Sequence, residues 1–166
     1  MNTRIQVEHP ISELITGVDL VQAMLRIAGG EPLDLRQEDI HLDGAALQMR
    51  LNAEDPARDF FPSPGKVQEL SWPQGPGLRV DSHLYPGYAV PPYYDSLLAK
   101  LIVHGADREQ ALARARAAVE QTTLTGMAST LTLHRELLAE PWLASADFHT
   151  ATLETWLAGR RAGGVA

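Results

Sequence analysis

The stretch Gly44-Ala45-Ala46-Leu47-Gln48-Met49-Arg50-Leu51-Asn52 alternates in polarity with a period of two. In an extended chain Leu47, Met49 and Leu51 leave one face and Gln48, Arg50 and Asn52 the other. That is the pattern of a half-buried strand. Downstream, Ser96–His104 is an apolar run interrupted by Lys100 and suits a buried strand. Lys66–Trp72 and Leu78–Val80 are shorter strand candidates between these two, set off by loops rich in Pro and Gly at 55–65, 73–77 and 85–92.

Helical spacing takes over on either side. Val18, Val21, Met24, Leu25 and Ala28 recur as one stripe, with Thr16 or Asp19 as cap and Gly29-Gly30 as stop. Asp107 followed by Gln110 resembles a capping box, ahead of the stripe Ala111, Leu112, Ala115, Ala118 and Val119. Arg108, Glu109, Arg114, Arg116 and Glu120 fall on the solvent side of that helix, and shorter helices fit Thr130–Leu138 and Ala151–Leu157. Strands clustered before helices imply an α+β fold, with an antiparallel sheet followed by helices. The expected organisation is an arm and helix over 1–35, the main domain over 36–158 and a flexible tail over 159–166.

The chain has 166 residues, 45% of them apolar, which suffices for a core and excludes a disordered chain. A formal charge of -7 argues against nucleic acid as the main ligand, while leaving room for a local cationic pocket. Disulfides and thiolate metal sites are excluded because there is no cysteine. No apolar run approaches a membrane span and the first residues lack a signal-peptide core, so a cytoplasmic protein is expected. The six histidines are not at the close spacing a zinc site favours. Neither a glycine-rich phosphate loop nor a nucleophile elbow is present.

The opening residues carry the strongest chemical signal. Asn2, Arg4, Gln6 and Glu8 alternate with Thr3, Ile5 and Val7, which in a strand gathers an amide, a guanidinium, an amide and a carboxylate on one face, with Pro10 ending the ladder. Such a face suits a small oxyanion with a proton to lose: Arg4 as a planar fork, Gln6 as donor and acceptor, Glu8 as base. A solvated edge strand with a surface Arg–Glu pair accounts for the same pattern. Arg50, mid-strand on a polar face, is a second candidate, although an ordinary exposed arginine fits as well. Pro91-Pro92-Tyr93-Tyr94-Asp95-Ser96 is a third, as a rigid wall in which Asp95 orients an arginine, or as a capped turn.

Taken in order, these segments resemble a known family. Met1-Asn2-Thr3-Arg4-Ile5-Gln6-Val7-Glu8-His9-Pro10 looks like the segment that closes the ATP-grasp domain of biotin carboxylases. The resemblance continues through Thr16-Gly17-Val18-Asp19-Leu20, Leu25-Arg26-Ile27-Ala28, Gly30-Glu31-Pro32-Leu33 and Arg50-Leu51-Asn52-Ala53-Glu54-Asp55-Pro56. It then takes in Pro62-Ser63-Pro64-Gly65-Lys66, Asp81-Ser82-His83, the Pro91–Ser96 segment and Ala99-Lys100-Leu101-Ile102. The family uses ATP, bicarbonate and Mg²⁺ to carboxylate biotin through carboxyphosphate. The resemblance implies that Arg4, Gln6 and the Val7 backbone hold bicarbonate, that Glu8 deprotonates it, and that Arg50 stabilises the biotin enolate. A cation beside developing negative charge lowers a barrier electrostatically. Asn2 would lie near the metal site, and Arg79 and the turn at Pro76 would match the family's homodimer contact. On this basis Arg4, Gln6 and Glu8 become the leading candidates.

Departures accompany the match. The family's metal-ligating glutamate directly precedes the residue matching Met1, and its nucleotide-binding sheet, glycine-rich lid and phosphate-binding lysines lie further upstream. Where the family has His-Ala and then Glu ahead of the Arg50 strand, this chain has Ala45, Ala46 and Gln48; its Thr-Asn pair reads Ser129-Thr130. The expectation is therefore the C-terminal portion of an acetyl-CoA carboxylase type biotin carboxylase, an ATP-dependent ligase of fatty-acid synthesis, inactive as this chain alone. Its partners would be the rest of the enzyme, a biotin carboxyl carrier protein, a carboxyltransferase and a second copy of itself, with no nucleic acid and no membrane. The alternatives are a non-catalytic dimerising or carboxylase-binding module, and a part of another biotin-dependent carboxylase.

Overall fold

A computed structural model describes residues 1–162. Helices α1 (His9–Thr16) and α2 (Leu20–Ala28) open the chain, followed by β1 (Ala45–Asn52), β2 (Glu54–Asp55), β3 (Phe61–Pro62), β4 (Leu70–Ser71), β5 (Leu78–Ser82) and β6 (Leu97–Gly105). Then come α3 (Arg108–Gln121), β7 (Thr123–Leu124), α4 (Leu131–Leu137), α5 (Pro141–Ala144) and α6 (Thr152–Ala162). The main sheet is antiparallel in the order β1-β6-β5, and β2 with β3 and β4 with β7 form short antiparallel pairs. This is the α+β architecture the sequence implies.

The buried run Leu97–Gly105 takes the centre of the sheet because both its neighbours shield it. Leu101 stands opposite Met49 on one side and Val80 on the other, and Val103 opposite Leu47 and Leu78. This face and the Ala111, Leu112, Ala115, Ala118 and Val119 stripe of α3 form the core, in which Leu51, Leu101, Val103 and Ala115 are fully buried. Asp107 caps α3 by accepting from the Gln110 amide at 2.8 Å, while the Gln110 side chain accepts from the Ala106 amide at 3.0 Å. Gly44 and Gly77 lead into β1 and β5 with φ of 64° and 70°, and a Cβ there would collide with the carbonyl oxygens of Gly105 and His104 respectively. Only glycine fits at these close approaches.

The opening residues depart from expectation. Residues 2–8 form no strand, and a helix begins at His9. Pro10 does not end a ladder; it sits in the first turn of α1, where its missing N–H costs nothing. In α2, Asp19 is the cap, accepting from the Gln22 amide at 2.8 Å, and the apolar stripe is largely open: Val21 is 43% exposed and Leu25 69%. The strand expected over Lys66–Trp72 is reduced to Leu70–Ser71 and a single bridge from Lys66 to Ala89. Helix α6 runs on to Ala162, past Gly159, the expected start of a flexible tail; 163–166 lie outside the described residues.

Candidate functional site

Strand alternation assigns the second face of the sheet. Arg50 of β1 is paired with Lys100 of β6, and Lys100 with Asp81 of β5, so three charged side chains form one row across all three strands. In the next row Gln48, Ile102 and Arg79 are aligned in the same way. Helix α1 and the residues before it lie over this face, as their contacts with both rows show. Glu13 of α1 accepts from Arg79 Nη1 at 2.6 Å and from the Leu20 amide at 2.9 Å. Arg79 also forks onto Asp81 through Nε at 2.7 Å and Nη2 at 3.1 Å. Lys100 Nζ meets Asp81 Oδ2 at 2.9 Å and the Val7 carbonyl oxygen at 3.4 Å.

Glu8 lies over the Arg50 end of the row. Arg50 Nη2 donates to Glu8 Oε2 at 2.8 Å, and Gln6 Nε2 donates to Glu8 Oε1 at 3.1 Å. Each carboxylate oxygen therefore has its own donor, and both side chains of the ion pair remain about half exposed, at 49% and 47%. The carboxylate is oriented yet open to a ligand. Of the residues singled out in the sequence, Gln6, Val7, Glu8 and Arg50 come together here. Arg4 does not join them in this structure: it is exposed and its Nη1 donates to the Ile5 carbonyl at 3.1 Å. Asn2 is exposed at the start of the chain. Asp95 adopts the capped-turn alternative, its Oδ1 accepting from the Leu97 amide at 2.8 Å, and Tyr93 and Tyr94 are more than four-fifths exposed.

Electrostatics favour the charged forms of Asp81 and Arg79. Burial raises the Asp81 pKa, but the hydrogen bonds and charges of Arg79 and Lys100 outweigh it and hold the carboxyl below its usual value. For Arg79 the bond to Asp81 raises the pKa, burial lowers it and Glu13 raises it again, leaving it well above normal. Lys100, Asp81 and Glu13 are site residues that the sequence reading misses. The available signal is Lys100 itself, a charge inside an otherwise apolar buried strand. Gln48, one of the departures from the family pattern, keeps its Oε1 buried without a hydrogen-bond partner among the described residues.

Two family models match the chain. The biotin carboxylase C-terminal domain covers residues 48–155, and the carbamoyl-phosphate synthase L chain ATP binding domain covers residues 1–36. A biotin carboxylase of Pseudomonas aeruginosa is 56% identical over 140 residues, which are 84% of this chain and 31% of the relative. A pyruvate carboxylase subunit of Methanothermobacter thermautotrophicus is 44% identical over 159 residues, 96% of this chain and 32% of the relative. Among solved structures, the biotin carboxylase domain dimer of Hydrogenobacter thermophilus 2-oxoglutarate carboxylase, in complex with MgADP, ADP and bicarbonate, superposes with a TM-score of 0.91 at 44% identity over 93% of this chain and 34% of that one. The chain thus spans about a third of the length of these relatives. With sheet, helices and sequence in agreement over most of its length, the chain belongs to the biotin carboxylase family and carries that family's C-terminal domain.

Proposed function

We propose that this chain is the C-terminal part of a biotin carboxylase, the ATP-dependent ligase that carboxylates biotin with bicarbonate. The observation that supports this most is the Glu8 carboxylate held between Gln6 and Arg50 on an open face of the sheet. A bicarbonate entering there meets a base whose orientation is already fixed, so the proton passes to Glu8 without a search over rotamers. Arg4 swings from the Ile5 carbonyl to bind the anion as a planar fork, with Gln6 and the Val7 backbone completing the cradle. Arg50, freed from full neutralisation once Glu8 takes the proton, stands beside the negative charge that develops on biotin.

Among the described residues no three acidic or imidazole groups converge as a cation site. By analogy with the family, Mg²⁺ and ATP are assigned to the part of the enzyme that this chain does not span, with Asn2 at its margin, and the chain alone is proposed to be inactive. Residues 1–35 close the ATP-grasp domain and 36–158 form the C-terminal domain. The biotin arrives on a carrier protein, Arg79 and Pro76 face a second copy, and a carboxyltransferase selects the acceptor. For that acceptor we favour acetyl-CoA, in cytoplasmic fatty-acid synthesis; the pyruvate and 2-oxoglutarate carboxylase relatives mark the competing choices. No helix among the described residues is long and apolar enough to cross a membrane.

Glu8→Gln in the complete carboxylase tests the reading. The half-exposed pair is worth at most about 1 kcal/mol, so the melting temperature shifts by no more than ~3 °C. Bicarbonate-dependent biotin carboxylation falls by roughly 10²–10⁴-fold if Glu8 is the base. Unchanged turnover refutes the assignment.

A further inference from the structure

Arg50 lies on an edge strand, since the sheet order β1-β6-β5 leaves one side of β1 without a neighbouring strand. An open edge presents unpaired backbone groups. At Arg50–Asn52 that edge is closed by α4 and the residue before it. Thr130 Oγ1 donates to the Arg50 carbonyl at 2.9 Å and accepts from the Asn52 amide at 3.0 Å, and the Thr130 amide donates to the Asn52 carbonyl at 3.1 Å. One turn further on, His134 Nε2 reaches the same Arg50 carbonyl at 2.8 Å. A carbonyl oxygen only accepts, so Nε2 must carry the hydrogen. Burial lowers the His134 pKa and the Arg50 carbonyl raises it, with a net lowering, so the ring is neutral and its Nε2 tautomer is selected by this contact.

Two donors on one carbonyl are more than a strand edge needs for satisfaction. They fix the peptide that follows the Arg50 Cα, and with it the direction in which the guanidinium leaves the sheet. On the opposite side of that residue the side chain reaches Glu8 across the open site. We propose that His134 and Thr130 are positioning residues that set Arg50 against the reacting biotin, His134 acting through its Nε2–H on the Arg50 carbonyl. The inference rests on the role proposed above for Arg50. It adds that α4, at the edge of β1, tunes biotin use through Arg50.

The test is made in the complete carboxylase with free biotin as the variable substrate. Three variants are compared: His134→Leu, which removes the donor, His134→Gln, which restores an N–H, and Thr130→Val, which removes the second donor at similar volume. Loss of one such hydrogen bond predicts about a tenfold rise in KM for biotin in His134→Leu, with KM for ATP unchanged. His134→Gln should recover to within about threefold of the parent, and Thr130→Val should show the same biotin-specific rise. A merely structural role lowers the active fraction, so kcat falls and both KM values stay put; that result overturns the proposal, as does His134→Gln behaving like His134→Leu. If His134→Leu fails to fold, Thr130→Val decides: a biotin-specific rise in KM supports the proposal and an unchanged one overturns it. Arg50→Ala separates the two levels. If Arg50→Ala leaves biotin carboxylation unchanged, the functional reading of Arg50 fails and takes this inference with it. If Arg50→Ala is impaired while KM for biotin is normal in folded His134 and Thr130 variants, only the inference fails.

Discussion

Replacing Glu13 by Gln should expose how firmly α1 is tied to the sheet. The Glu13 side chain is only 9% exposed and accepts from Arg79 Nη1 and from the Leu20 amide, with His9 Nε2 at 3.9 Å. Glutamine is isosteric and keeps an acceptor for Leu20, but it turns one oxygen facing Arg79 into a donor. Removing one partner of a buried pair costs roughly 3–5 kcal/mol. Here the figure must be discounted, because Arg79 is 36% exposed and retains its fork onto Asp81. A loss of about 1.5–2.5 kcal/mol remains, or ~5 °C in melting temperature for a chain of this size. Urea unfolding of Glu13→Gln, Arg79→Met and the double variant gives the coupling energy directly, and about 1 kcal/mol or more is expected. If the two losses add to within ~0.3 kcal/mol, the two residues do not act as a pair and α1 is held by its apolar contacts alone.

The acid limb of stability should carry the mark of Asp81. Its folded pKa lies below the unfolded value of about 3.9, so its contribution is complete above that pH and is lost as pH falls through the folded pKa; the stability gap between the parent and Asp81→Asn should narrow on acidification below about pH 4, and a gap that widens there would contradict the assignment. Leu101→Ala, at a fully buried position in the central strand, should cost about 3 kcal/mol by urea unfolding, whereas Leu25→Ala on the open face of α2 should stay within ~0.5 kcal/mol. A large loss at Leu25 would show that this face is covered within the chain.

The strands at the centre are legible because their side chains report burial directly. Leu47, Met49 and Leu51 alternate, and Ser96–His104 is apolar for nearly its whole length, so both survive as β1 and β6 with ends shifted by a residue. Helix α3 is legible for the same reason, with Asp107 marking its start. Alternation at 2–8 misleads because polarity records which atoms face water and says nothing about where backbone amides find partners. The free edge of β1 at Arg50–Asn52 is taken by Thr130 and His134, and the opening residues instead run over the face of the sheet, ending in the first turn of α1. The stripe on α2 shows the complementary limit: periodicity identifies an amphipathic helix but not its cover.

The site itself is legible only in part, and the missing part has a common physical origin. Polarity alone leaves Gln6 and Glu8 open to a surface-pair reading and Arg50 to that of an ordinary exposed arginine; it is the resemblance to biotin carboxylases that singles them out. Lys100 and Asp81 escape notice because each has a bland explanation in isolation, a break in an apolar run and a surface acid. Their meaning comes from register. Once Lys100 is placed opposite both Arg50 and Asp81, two adjacent cations on one sheet face favour an anion on each side. Asp81 serves Lys100 and Glu8 serves Arg50, while the Val7 carbonyl takes a further Lys100 contact. The same row that makes the sheet electrostatically self-consistent therefore also seats residues 6–8. A change at Asp81 or Lys100 should reach the Glu8 carboxylate without touching it, which no spacing in the linear sequence foretells.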